Sequence, residues 1–87
     1  MPDIRYKEIP IKTFTEKAYR EMTELGMDLY DVKEILENGF DCSRSKRRKG
    51  IEEKCLEKKG KIIKAVVEKM TSKSGIEYWR IRHVGHL

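Results

Sequence analysis

The apolar positions of residues 14–25 recur at the spacing of one helix face: Phe14, Ala18, Met22 and Leu25. A period of three to four residues is typical of an amphipathic helix. Thr13 followed by Glu16 is a capping-box pattern at the start of this helix. Gly26 fits the position just past its end.

A second apolar stripe follows at once and predicts a second helix: Leu29, Val32, Ile35 and Leu36. Asp28 is a suitable N-cap, Asp31 stands in the first turn, and Asn38-Gly39 ends the pattern. Because the link between the two stripes is so short, we expect the two helices to be neighbours.

The period changes after Gly39. Residues 61–70 are nearly unbroken in apolar character, which favours a central strand that is buried on both faces. Residues 51–59 fit helix and strand alike, and we prefer strand because Gly60-Lys61 then forms a tight hairpin. Residues 71–75 predict a second hairpin turn, and residues 76–84 predict a further strand. Residues 4–11 fit either a short edge strand, limited by Pro10, or an extended lead-in.

The elements together predict an α+β fold in which two N-terminal helices pack on a small antiparallel sheet. The chain has 87 residues, a length that we expect to form a single domain spanning 1–87. There is no long apolar run and no signal-peptide pattern, so we expect an intracellular, cytoplasmic protein without a membrane span.

The basic residues are concentrated in the second half of the chain. Residues 1–42 contain 6 basic and 10 acidic residues, and residues 43–87 contain 14 basic and 5 acidic ones. The run SRSKRRKG at 43–50 contributes five cations and no acid: Arg44, Lys46, Arg47, Arg48 and Lys49. Such an asymmetry indicates an anionic partner. A solvated loop is the alternative interpretation of this run.

Strict alternation divides the strand at 76–84 into two faces. It assigns Glu77, Trp79, Ile81 and His83 to one face, on which Trp79 and Ile81 pack under the helices. It assigns to the open face Ile76, Tyr78, Arg80, Arg82 and Val84. Arginine beside tyrosine suits phosphate contact and base stacking, and Lys64 of the neighbouring strand belongs on the same face in a suitable register. The alternative is an exposed sheet face on which the arginines pair with Glu68 or with other carboxylates of the strands.

Two histidines and two cysteines complete the candidate chemistry. His83 is a candidate general base, because histidine titrates near neutral pH, but the sequence indicates no side chain that would orient it. His83 and His86 lack a third metal ligand, so we expect no metal and no cofactor. Cys42 and Cys55 match no zinc spacing, and we expect buried or free thiols, with a disulfide between them as the lesser alternative.

The stretch FTEKAYREMTELGMDLYDVKEILENGF resembles the two-helix opening of RelE/ParE-type toxins, most closely a small branch that reads H-A-x-x-R-M. The resemblance covers residues 14–40 and departs from the branch at Lys17 and Glu21, which stand in place of His and Arg. It implies a toxin of a toxin–antitoxin system that contacts RNA or the ribosome and is covered by an acidic antitoxin. It also raises the hypothesis that the toxin is an endoribonuclease without a metal. Tyr78, Arg80, Arg82 and His83 are then the catalytic candidates.

The alternatives to a toxin are a non-catalytic nucleic-acid-binding module and a protein-interaction domain. The composition adds one hypothesis about the source of the protein. The chain contains no Gln and a single Asn, with abundant Lys and Glu, which is typical of thermophiles.

Overall fold

A computed structural model describes residues 4–42 and 49–86. In these residues the chain forms six strands and two helices. In chain order they are β1 (Arg5–Tyr6), β2 (Ile9–Phe14), α1 (Glu16–Leu25), α2 (Leu29–Asn38), β3 (Phe40–Asp41), β4 (Ile51–Lys58), β5 (Lys61–Thr71) and β6 (Glu77–His86).

Both predicted helices are confirmed, and side chains cap them at their N-termini. Asp28 and Asp31 form a reciprocal capping box at the start of α2. Gly26 ends α1 in the left-handed conformation, with a φ of 66°. The cap of α1 is Thr15, whose hydroxyl accepts from the backbone N–H of Ala18, and not Thr13. Thr13 is unavailable because it belongs to β2.

The strands form one mixed sheet in the order β1-β2-β6-β5-β4-β3. The expectation of two N-terminal helices on a small antiparallel sheet is therefore wrong. Residues 5–14 form a hairpin that precedes the helices, and β2 then pairs in parallel with β6, placing Ile11 beside Trp79 and Phe14 beside Ile81. Pairing between such distant segments leaves no local period in the sequence.

The meander β4-β5-β6 is confirmed. β5 lies between β4 and β6, with Ala65, Val66 and Val67 all buried. Residues 51–58 are a strand, and Lys59 and Gly60 form the two-residue turn into β5 with φ values of 50° and 78°. Positive φ at both positions is the geometry that suits a hairpin twist.

The sheet curls around one core, in which Trp79 and Ile81 pack with α1 and α2 as predicted. Tyr6 of β1 packs against the ring of Trp79, and its backbone oxygen accepts a hydrogen bond of 2.9 Å from Trp79 Nε1. The curl brings β1 towards β4 at the opposite side of the sheet. There the Tyr6 hydroxyl donates to Glu52 Oε1 at 2.6 Å, and Lys7 Nζ contacts Glu52 Oε2 at 2.8 Å.

Cys42 and Cys55 form a disulfide, so the expectation of free thiols is wrong. Residue spacing alone favoured thiols because the pair matches no known ligand pattern. The bond forms because β3 pairs with β4 with Phe40 opposite Cys55, which brings the Cα atoms of the two cysteines to 5.5 Å. That separation is within the range of protein disulfides.

Candidate functional site

An irregularity in β6 determines which side chains reach the open face of the sheet. Val66 is paired with His83, whereas the next residue, Val67, is paired with Ile81, so Arg82 is an extra residue in β6. Such a bulge reverses the alternation beyond it. The predicted faces are therefore wrong for two residues: Val84 is buried in the core, and His83 lies on the face of Val66.

Helix α1 runs beside the part of β6 that follows the bulge. The backbone N–H of Thr15 donates to the Ile81 carbonyl at 2.9 Å, and the Thr15 hydroxyl donates to the Arg82 carbonyl at 3.3 Å. Ala18 and Met22 point into the core, so the flank of α1 that carries Lys17 and Glu21 faces β6.

Glu21 supplies the orienting group for His83 that the sequence did not indicate. Its carboxylate lies 3.0 Å (Oε1) and 2.8 Å (Oε2) from His83 Nδ1, and Oε1 also accepts from the backbone N–H of Val84 at 3.3 Å. A carboxylate only accepts, so Nδ1 carries the hydrogen and Nε2 of a neutral His83 is the basic nitrogen. Nε2 lies close to Gly85, because a Cβ atom added to Gly85 would be only 3.4 Å from Nε2.

A pocket of about 260 Å³ lies beside this pair and is lined by Lys17, Ile51, Val66, Arg82 and His83. We call it the His83 pocket. Ile51 and Val66 provide an apolar part of its wall, and Lys17 and Arg82 bring two cations to it. A cation pair next to an oriented histidine suits an anionic ligand with a transferable proton.

Carboxylates offset much of the positive charge on this face. Glu68 contacts Arg80 at 2.8 Å and Arg82 at 3.7 Å, and Glu53 contacts Lys64 at 3.5 Å. The pairing of the arginines with Glu68 was the alternative interpretation from the sequence, and it is what the structure contains. Around the pocket, the cations Lys17, Arg80 and Arg82 outnumber the carboxylates Glu21 and Glu68 by one.

Arg80 has a partly exposed side chain with one buried polar atom. Within the described residues its Nε is buried and has no hydrogen-bond partner, although its Nη2 contacts Glu68. A buried donor without a partner costs about 1–3 kcal/mol. An acceptor that reached Nε would remove that cost.

The predicted site residues do not all meet at this pocket. Arg82 and His83 line it, and Arg80 adjoins it through Glu68. Tyr78 is half-buried opposite Met70, and it lies five residues before His83, roughly 16 Å along the strand. Lys64 is engaged with Glu53, and Lys49 is exposed. The other four cations of the basic run lie outside the described residues: Arg44, Lys46, Arg47 and Arg48.

Lys17 and Glu21 are the functional candidates that sequence reasoning missed. They were noted only as departures from the resembled helix. Their four-residue spacing on the flank beside the apolar stripe is a usable signal, because residues at i and i+4 share one side of a helix.

Two further features of the described residues bear on chemistry. No group of three or more His, Cys, Asp or Glu side chains in residues 4–42 and 49–86 is arranged to hold a metal ion. No helix in these ranges is long and apolar enough to cross a bilayer.

Comparison with known proteins identifies no family. No protein-family model, curated protein or solved structure matches the chain. The resemblance in residues 14–40 therefore stays a prediction.

Proposed function

We propose that the protein binds single-stranded RNA with a phosphodiester in the His83 pocket and cleaves it without a metal ion. The observation that carries the proposal is the convergence of Lys17, Arg82 and His83 on one pocket, with Glu21 bonded to His83 Nδ1. The excess of basic residues in the second half of the chain supports a polyanionic ligand.

The reaction follows from the nucleophile that RNA carries within itself. His83 Nε2 takes the proton of a ribose 2′-hydroxyl, whose oxygen then attacks the adjacent phosphorus. The bond from phosphorus to the 5′-oxygen breaks, and water protonates the leaving oxygen, so the products end in a 2′,3′-cyclic phosphate and a 5′-hydroxyl. Lys17 and Arg82 stabilise the additional negative charge on the phosphoryl oxygens. DNA lacks the 2′-hydroxyl and is not cleaved.

The test compares two histidines of the same strand. Purified protein is incubated with labelled RNA, free and on programmed ribosomes, in the presence of a chelator. We expect cleavage that His83→Gln lowers by about 10²- to 10⁴-fold, the usual contribution of a general base. His86→Gln, which changes an exposed histidine, serves as the matched control. Equal cleavage by both variants would remove His83 from the mechanism.

Glu21→Gln separates orientation of His83 from RNA binding. The variant loses the carboxylate that fixes the imidazole, so we expect the cleavage rate to fall while the affinity for RNA stays within about threefold. A loss of affinity with an unchanged cleavage rate would contradict this role.

A second candidate is RNA binding without cleavage. It is favoured by the carboxylate of Glu68, which contacts both Arg80 and Arg82 and leaves little excess charge for a reacting phosphate. Intact RNA after incubation with the protein, together with binding that weakens steeply with salt, supports this candidate. Tight binding that is insensitive to salt contradicts both candidates.

The toxin role has a separate test, because it depends on the resemblance in residues 14–40. Expression should arrest cell growth through RNA or the ribosome, and an acidic antitoxin peptide should relieve the arrest. Arg82→Ala should also relieve it, because Arg82 lines the His83 pocket. Full growth arrest by Arg80→Ala/Arg82→Ala would exclude both arginines from the toxic activity.

A further inference from the structure

Two aromatic rings are exposed beside the first turn of α1, on the flank opposite the His83 pocket. Phe14 and Tyr19 stack nearly parallel, with ring centroids 5.2 Å apart and an interplanar angle of 13°. Their residues are 38% and 55% exposed. Large rings in this position leave apolar surface in water without contributing to the core.

Helix geometry relates this pair to the pocket. Lys17 and Tyr19 are two residues apart and project about 200° from each other around α1. Lys17 lines the pocket, while Tyr19 carries the ring pair, so the first turn of the helix separates the two features. A helix with its side chains is about 10–12 Å wide, which a short oligonucleotide spans.

The charge around the ring pair suits a phosphate backbone. Exposed cations stand close to both rings in the sequence: Lys12 is two residues before Phe14 on β2, and Arg20 follows Tyr19 on α1. Glu16 is the one nearby carboxylate of the first turn and opposes this charge. Tyr30 provides a contrast, because it is 59% exposed but lies between Asp28 and Asp31, which form the cap of α2.

We propose that the Phe14–Tyr19 pair is a stacking platform for an unpaired base of a single-stranded RNA, while a phosphate elsewhere along the same RNA lies in the His83 pocket. The inference rests on the proposed RNA binding and adds a contact to a base. Every base has a π face, so stacking on an aromatic ring tolerates any sequence. Exposed aromatic rings together with nearby cations are the arrangement that such proteins use.

The test separates the base from the backbone. Binding is measured by fluorescence anisotropy with a labelled oligouridylate and with an abasic ribose-phosphate oligonucleotide of equal length. We expect Tyr19→Ala to weaken oligouridylate binding roughly 5- to 100-fold, the effect of losing one stacked base. The abasic probe should bind Tyr19→Ala and the unaltered protein equally well.

Two matched variants complete the design. Tyr19→Phe retains the ring and should retain the affinity, whereas Tyr30→Ala removes an equally exposed tyrosine and should change nothing. The fluorescence of the Tyr19→Trp variant should be quenched by oligouridylate and not by the abasic probe. Trp79 is buried, so its own fluorescence is the constant background.

Each negative outcome has a distinct meaning. Failure of the unaltered protein to bind either probe overturns the RNA proposal and the platform together. Binding that Arg82→Ala weakens and Tyr19→Ala leaves unchanged overturns the platform alone. If Tyr19→Ala lowers the affinity for both probes equally, the ring supports the structure of α1 and does not stack on a base. This result also overturns the platform.

Discussion

At the scale of single residues, Glu68 sets the charge of the open sheet face. Its carboxylate contacts Arg82, which lines the His83 pocket, and Arg80. A ligand phosphate must therefore compete with Glu68 for the same guanidinium groups. This competition gives a mutation with a definite sign.

We predict that Glu68→Gln strengthens RNA binding. Without the carboxylate, the two arginines are free to make about one more phosphate contact. The slope of the logarithm of the association constant against the logarithm of the salt concentration should therefore steepen by about 0.7. Binding isotherms at several salt concentrations measure both effects. Glu77→Gln on the neighbouring strand β6 is the control, because it changes the net charge equally but pairs with Lys69. Unchanged or weaker binding by Glu68→Gln would show that these arginines do not contact RNA.

The sequence predicted Arg82 and His83 as site residues but misplaced the ring of His83. Strict alternation assigned His83 to the core face, and the bulge at Arg82 moved it to the open face. A bulge depends on how two strands pair, so neither strand alone reveals it. The partnership of His83 with Glu21 likewise joins residues 62 positions apart.

At the scale of elements, the junction of α2 with β3 depends on the small size of Gly39. A Cβ atom there would lie 2.6 Å from the carbonyl oxygen of Cys55 and closer still to that of Ile35. Both obstacles are backbone atoms, which cannot rotate away. The φ of Gly39 is −78°, so the requirement is for space and not for an unusual conformation.

We predict that Gly39→Ala destabilises the protein by about 1–3 kcal/mol, as overpacking does. For a domain of this size, each kcal/mol lowers the melting temperature by about 4–8 °C. Thermal unfolding followed by circular dichroism measures the change. Asn38→Ala, at an exposed neighbouring position, should alter the free energy of unfolding by less than about 0.5 kcal/mol. A melting temperature that Gly39→Ala leaves unchanged would mean that α2 and β3 can move apart freely.

The N-terminal hairpin is fastened to β4 through Glu52. Burial acts to raise the pKa of Glu52, but the hydrogen bonds from Lys7 and Tyr6 outweigh it and lower the pKa below its usual value. Burial and the bond to Glu52 also raise the pKa of Tyr6. The ionised carboxylate is therefore the form that holds β1 against β4.

We predict that this contact weakens in acid. Because the pKa of Glu52 is lower in the folded state, its contribution is complete above the unfolded pKa of about 4.3 and is lost as the pH falls through the folded pKa. Urea unfolding between pH 7 and pH 3 should show a smaller loss of stability for Glu52→Gln than for the unaltered protein. Glu57→Gln, at an exposed site on the same strand, should retain the full loss. Identical pH profiles for Glu52→Gln and the unaltered protein would contradict the role of Glu52.

The elements themselves were largely predictable, and their arrangement was not. The two helices and the strands β5 and β6 leave clear periods and caps, so local reasoning located them. The period of residues 51–59 fits helix and strand alike, and only the turn that follows favoured a strand there. The N-terminal hairpin has positive φ values at Lys7 and Glu8, of 53° and 65°, at residues that give no turn signal. Asn or Gly at those positions would have indicated the turn.

At the scale of the whole molecule, the Cys42–Cys55 disulfide closes a loop across a separation of 13 residues. Closing a loop of this size stabilises a fold by about 3 kcal/mol through the entropy of the unfolded chain. Disulfides are rare in the cytosol of mesophiles but frequent in secreted proteins and in hyperthermophiles. The occurrence of disulfides in hyperthermophiles is consistent with the hypothesis drawn from the thermophile-like composition.

We predict that reduction lowers the melting temperature by about 12–24 °C. Thermal scans with and without a thiol reductant measure the difference. Cys42→Ser has no disulfide to reduce. With or without the reductant, it should therefore melt at the temperature of the reduced unaltered protein. Equal melting temperatures for the oxidised and reduced unaltered protein would show that the bond adds no stability.

The parallel pairing of β2 with β6 also has a consequence for synthesis on the ribosome. Residues 9–14 leave the ribosome long before residues 77–81, and β2 cannot join the sheet until β6 exists. During that interval the edge of β2 that later pairs with β6 is unpaired, and another chain or a chaperone can bind there. The fold is therefore completed late, and translation that stalls before residue 77 leaves the N-terminal hairpin open to aggregation.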